Sequence, residues 1–224
     1  MLRAVLVMGS AATAACGGES GSDTLGRERS EQVRDAAVAA GLPHDVADVL
    51  ALAARGTTAA YRITYPGSDG GTIVVSQEPP NQRLDVVTGD IIVQSHVIRD
   101  GVGYECTARS TPPRQDEPLE CRRADAATDA PGAFTTEALA AFTEQLAESA
   151  DRFDLAVEER PIAGTTATCL VAAPKAGTPI DGKGPGVDSL CLSPEGAQLL
   201  TDAGGERIVA DTYSTEVPEG TFDV

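Results

Sequence analysis

The chain has no tryptophan, and its four phenylalanines and four tyrosines are spread thinly over 224 residues. A hydrophobic core must therefore come from Val, Ile, Leu and Ala, with few rings to anchor it. Lysine is almost missing: Lys175 and Lys183 are the only two, and arginine supplies the remaining basic groups. Acidic residues outnumber basic ones 34 to 17, for a net charge of −17. Such a chain repels phosphate backbones and anionic surfaces, and it has no basic patch to neutralise them. DNA and RNA are therefore excluded as expected partners. With two histidines, His44 and His96, no H-E-x-x-H zinc helix can be built. There is also no P-loop, no G-x-S-x-G elbow and no Asp-rich calcium loop. No charge-free run reaches the roughly 20 residues that a membrane-spanning helix needs.

A short charge-free run is present at the start. Arg3 precedes Ala4–Ala15, a small-to-apolar stretch that reads as a secretory leader. It ends in Thr13-Ala14-Ala15-Cys16, followed by Gly17-Gly18-Glu19-Ser20-Gly21-Ser22. This junction resembles a bacterial lipobox, in which the cysteine becomes the first mature residue and carries acyl chains such as palmitate. Cys16 is the expected lipid anchor, with residues 1–15 as signal peptide and 16–27 as a glycine/serine tether. Several buried acyl chains hold a protein firmly, at roughly 0.8 kcal/mol for each CH₂. The expected location is the extracytoplasmic face of a cell membrane.

After Cys16 come Cys106, Cys121, Cys169 and Cys191. An even number in an exported chain predicts two disulfides. Three connectivities are open, and local pairing within 106/121 and within 169/191 is the simplest. A four-cysteine zinc site is the rival, but no C-x₂₋₄-C knuckle is present to hold it.

Residues 28–224 are expected to form one domain. Val33, Ala36, Ala37 and Ala40 make a weak helical face, Gly41-Leu42-Pro43 breaks it, and Val46, Val49, Leu50 and Ala53 make a second. The period then shortens to two. Tyr61, Ile63 and Tyr65 share one face of a strand, and Leu84 and Val86 share one face of another. Tight turns at Gly70-Gly71, Pro79-Pro80-Asn81, Gly89-Asp90 and Asp100-Gly101 link short strands into an antiparallel meander. Residues 112–131 are polar and irregular, with Cys121 as a clamp. Phe134, Leu139, Phe142 and Leu146 mark a helix over about 135–150, with Thr135 or Thr136 as cap. Strand patterns return from 153 to 217. The expected fold class is α+β: one large curved antiparallel sheet, half-barrel-like, of about nine or ten strands with helices on its concave face.

Chemical groups are sparse. His96 sits in a strand-like run and His44 at a helix start; both read as structural residues. Gly182-Lys183-Gly184-Pro185-Gly186 looks like a phosphate loop only superficially, since Pro185 lacks an N–H. The neighbouring acids Glu158 and Glu159 point to opposite strand faces and cannot act on one bond. No catalytic residue, metal or cofactor is expected. Apolar strand faces remain. Tyr61, Ile63, Tyr65, Leu84, Val86, Ile91 and Val93 either line a ligand cavity or fill a core against the helices.

Several segments together resemble the actinobacterial branch of the LolA/LppX-like lipoproteins. They are the Cys16 leader, TAAYRITYPG, TIVVSQEPPNQRLDV, DGVGYECT with LEC, and the run from SLCLSPEGAQLL to the end. The resemblance spans about residues 45–224. It implies a half-open antiparallel sheet curled round helices that plug or line an apolar cavity. It also implies a lipid or a lipoprotein acyl chain as ligand. The expected function is thus a non-enzymatic, lipid-anchored binder or carrier of a hydrophobic ligand. The alternative is an envelope adaptor or assembly lipoprotein of the same fold with a filled cavity and a protein partner.

Overall fold

The structure, a computed structural model, describes residues 21–67, 70–110, 112–114, 117–124, 135–177 and 185–224. It is α+β, with antiparallel strands throughout. Helices α1 (Gly21–Ala39) and α2 (His44–Gly56) come first. A meander follows: β1 (Tyr61–Pro66), β2 (Thr72–Glu78), β3 (Asn81–Thr88), β4 (Ile91–Arg99), β5 (Val102–Thr107) and β6 (Glu120–Arg123). Then come α3 (Thr136–Ser149), β7 (Phe153–Ile162), β8 (Thr165–Pro174), β9 (Ser189–Leu192), β10 (Gln198–Ala203), β11 (Glu206–Val209) and β12 (Thr212–Ser214).

The strands divide between two open sheets instead of forming one. The seven-stranded sheet has the order β12-β1-β2-β3-β4-β5-β6, and the five-stranded sheet has the order β11-β10-β9-β8-β7. The five-stranded sheet is the middle layer. Leu155, Val157, Leu170, Leu190 and Leu192 face the helices, where they meet Val46, Leu50, Leu139 and Leu146. From its other face Ala167, Cys169, Cys191, Leu199 and Leu200 meet Tyr61, Ile63, Tyr65, Val75 and Leu84 of the seven-stranded sheet. Period-2 alternation explains how one strand serves both cores: in β8, Cys169 points to one layer and Leu170 to the other.

Helix α2 is the hub. Val46, Ala47, Val49, Leu50, Ala51, Ala53 and Ala54 are all buried, so it is covered on nearly every side. Its end is fixed by Gln77 of β2, a buried amide that donates to the carbonyls of Gly56 (2.7 Å) and Ala59 (2.9 Å). The same amide oxygen accepts from the Tyr61 hydroxyl (3.2 Å) and the Gln82 amide (3.1 Å). Every polar atom of this buried side chain therefore has a partner.

Two boundaries differ from expectation. The tether expected over 16–27 is helical from Gly21 onward. Contacts with the end of α2 outweigh glycine and serine propensity here. Gly26 lies against Thr58, so close that an added Cβ would stand 2.4 Å from the Thr58 hydroxyl. Arg29 donates to the Thr57 hydroxyl (3.0 Å) and Ser30 to the Ala51 carbonyl (2.8 Å). Strand β6 was expected to be irregular chain. Its four residues are all exposed, so no apolar pattern announces it, and its pairing with β5 is pinned by Cys106–Cys121. For α3, Thr135 is the cap, its hydroxyl accepting from the Ala138 N–H at 3.1 Å. Phe134 lies outside the described residues.

Both disulfides are local, Cys106–Cys121 and Cys169–Cys191. All four of these cysteines are consumed, which removes the zinc alternative. Each pair consists of direct register partners on adjacent strands.

Candidate functional site

The residues expected to line a cavity have separate fates. Tyr61, Ile63, Tyr65 and Leu84 are 1–6 % exposed and, with half-buried Val86, pack into the core between the two sheets. They face the five-stranded sheet and not the helices, which stack on that sheet's far side. Ile91 and Val93 do not join them. The β3–β4 register slips between Val86 and Val87, and both residues remain half-buried at the start of β4. Neither the alternation nor the spacing of these residues carries the sheet assignment that decides this.

The polar ends of the tyrosines are tied down. Tyr65 donates to the Gln198 carbonyl, and Tyr213 donates to the Glu195 carboxylate. Burial raises the phenol of Tyr61 well above the ordinary tyrosine range, and it does the same at Tyr65, where the Tyr61 charge adds to it. These groups must stay neutral in the folded state. Their contribution is complete below the unfolded-state value of about 10 and is lost as the pH rises above it. Tyr61 and Tyr65 together are expected to remove up to about 2.7 kcal/mol of stability per pH unit above about pH 10. Urea denaturation from about pH 9 to about pH 11 reads this, and Tyr61→Phe should lower the slope by up to about 1.4 kcal/mol per pH unit.

The open apolar surface lies elsewhere, between α1 and α3. On α1, Arg29, Gln32, Val33 and Ala36 recur at helical spacing, with Ala40 just past its end; on α3, Leu139, Ala140, Thr143, Glu144, Ala147 and Glu148 do the same. The two stripes enclose an open-sided groove of about 690 Å³. Its floor is half-buried Val33, with Leu139 fully buried beneath it. Its walls are short because Ala36, Ala40, Ala140 and Ala147 carry only a methyl group. Arg29 and Gln32 stand on one rim and Glu144 and Glu148 on the other. Thr143 adds little polarity, since its hydroxyl donates to the Leu139 carbonyl at 2.8 Å. Such a space lies within the range of small-ligand sites. The sequence does show the α1 stripe of Val33, Ala36 and Ala40, but as a weak face for burial. That α3 stands opposite it is a tertiary fact.

The remaining candidates stay apart. His44 opens α2 and is exposed. His96 lies beside Gln94, with Nε2 2.7 Å from the Gln94 amide nitrogen, and its Nδ1 is buried without a partner. Glu158 and Glu159 are both exposed on β7, where Arg160 pairs with Glu158. Among the described residues, no group of three or more His, Cys, Asp or Glu is placed to hold a metal ion. No described helix is long and apolar enough to cross a membrane. Cys16, the leader, and Gly182, Lys183 and Gly184 lie outside the described residues. No protein-family model matches the chain, and no curated protein matches it.

Proposed function

We propose that the chain is a lipid-anchored protein of the extracytoplasmic membrane face that binds a hydrophobic ligand, a lipid or a lipoprotein acyl chain, in the groove between α1 and α3. The observation that carries this reading is the apolar-floored groove itself, about 690 Å³ and open along one side. An acyl chain laid on half-buried Val33 and the exposed methyl groups of Ala36, Ala40 and Ala140 leaves water, at roughly 0.8 kcal/mol for each CH₂ buried. Its polar head stays at the rim, near Arg29 and Gln32 or facing Glu144 and Glu148. The leader with Cys16 supports the membrane location, and α1 begins five residues after that cysteine. The resemblance to LolA/LppX-like lipoproteins supports a carrier, with the ligand in the helical layer and not between helices and sheet. The role is binding, not catalysis.

A second reading rests on the short walls. Ala36, Ala40, Ala140 and Ala147 suit the close approach of a partner's helix, which would make the chain a non-enzymatic envelope adaptor.

Native mass spectrometry of the chain purified from a lipid-containing host separates the two. A carrier releases a lipid mass on denaturation. Ala36→Arg and Ala140→Arg, both at exposed positions, should cut the lipid-bound fraction at least tenfold while leaving the melting temperature unchanged. Lipid retained by both variants would reject the groove, and an empty chain after incubation with envelope lipids would favour the adaptor. In the same host, Cys16→Ser should move the chain from the membrane to the soluble fraction.

A further inference from the structure

The two disulfides occupy opposite environments. Cys169 and Cys191 are both fully buried, in the core between the sheets. Cys106 is 2 % exposed, but its partner Cys121 is exposed on β6, an edge strand paired only with β5. A row of register partners crosses the sheet at this point: Asp85, Ser95, Cys106, Cys121. Ser95 is fully buried, and its hydroxyl has no hydrogen-bond partner. A buried hydroxyl without a partner costs stability, and a partner that appears on reduction of the disulfide would recover part of that cost. Its neighbour in register is the sulfur-bearing Cys106. The charges on this edge are paired, Arg122 with Glu105 (2.6 Å) and Arg109 with Glu120 (3.7 Å), so they do not repel an incoming thiolate as the rest of this acidic chain does.

We propose that Cys121 is a thiol-exchange site, taking a low-molecular-weight thiol as a mixed disulfide while Ser95 receives the released Cys106 sulfur. A thiolate attacks the sulfur of exposed Cys121 from the open edge of the sheet. The Cys106–Cys121 bond breaks, and its electron pair leaves on Cys106. The Ser95 hydroxyl donates to that sulfur, which then takes up the proton given by the incoming thiol. The products are a Cys121 mixed disulfide and a Cys106 thiol. A second thiol attacking the mixed disulfide gives the dithiol and the oxidised thiol dimer. The Cys169–Cys191 bond has no comparable approach.

The test uses the full folded chain and glutathione, quenched with a maleimide and mapped by peptide mass. Glutathione is expected on Cys121 and maleimide on Cys106, with Cys169 and Cys191 unmodified over the same interval. Parallel reaction of both disulfides, or glutathione on Cys106, would overturn the proposal. Ser95→Ala should slow exchange about tenfold, the effect of one hydrogen bond to a charged group, without lowering the melting temperature. Ser95→Thr, which keeps the hydroxyl, should restore the rate. Wild-type exchange by Ser95→Ala would remove Ser95 from the step.

Discussion

Replacing Gly196 with alanine is expected to cost about 4 kcal/mol, from left-handed strain and overpacking together. Gly196 sits in the turn between β9 and β10 with φ at +90°, a region that side chains avoid. The turn is built round Ser193, whose hydroxyl accepts from the N–H groups of Glu195 (3.2 Å) and Ala197 (3.1 Å). It docks on the last turn of α2. An added Cβ at Gly196 would stand 2.0 Å from the Leu52 carbonyl oxygen and 2.7 Å from the Gly56 nitrogen. All of this is backbone, so no rotamer change relieves it. Gly56 is the matching half, since a Cβ there would stand 2.2 Å from the Gly196 oxygen. An internal control separates the two costs. Gly204 has φ at +60° but nothing within 4 Å of the added Cβ, so Gly204→Ala carries the strain alone, at about 1 kcal/mol. Urea denaturation of the two variants measures the difference. Equal losses would mean that α2 does not rest on this turn.

That contact illustrates what was readable beforehand. The Pro194-Glu195-Gly196 turn is visible in the sequence, but the helix it meets lies some 140 positions upstream. Local periodicity was reliable in β1 but not in β3, where Asp85 is buried beside Leu84 and Val86 is only half-buried. Tyr61, Ile63 and Tyr65 alternate with Arg62 and Thr64 as the pattern demands. The break at Gly41-Leu42-Pro43 falls between α1 and α2, and the short-range cysteine pairing is realised. Membership of a sheet was not readable. ERIVADTYSTEV looks like one strand, yet it divides at Ala210-Asp211. The part before joins the five-stranded sheet. The part after crosses to β1, helped by the Asp211 N–H donating to the Thr64 carbonyl at 2.8 Å. Two apolar layers of similar composition look alike in one dimension, because alternation reports burial and not the identity of the neighbour. The groove was hidden for the same reason. Ala36 and Ala40 are as suited to a packed helix contact as to an open trough, and only the placement of α3 decides.

Removing the Cys169–Cys191 bond as the pair Cys169→Ala/Cys191→Ala should lower stability by about 5 kcal/mol, whereas Cys106→Ala/Cys121→Ala should cost about 3 kcal/mol. Chain entropy does not separate them. The bonds close loops of 22 and 15 residues, and the loop-length dependence makes these differ by only about 0.3 kcal/mol. Burial does. Cys169 and Cys191 stand in the core between the sheets, among Ala167, Leu199 and Leu200, all 0–2 % exposed. Losing two sulfurs there leaves a void that the close-packed layers on both sides cannot fill, and a void costs in proportion to its volume. Cys121 is on the surface at the edge strand, where the space left by its sulfur fills with water. In a chain of this size each kcal/mol is worth about 2–4 °C, so the buried pair should lower the melting temperature by about 10–20 °C and the edge pair by roughly half as much. Calorimetry without reductant makes the comparison. Equal shifts would show that the unfolded-state constraint is the whole effect, and that the two sheets close over the missing sulfurs. A larger shift for the edge pair would mean that β6 holds the seven-stranded sheet together more strongly than its exposure indicates.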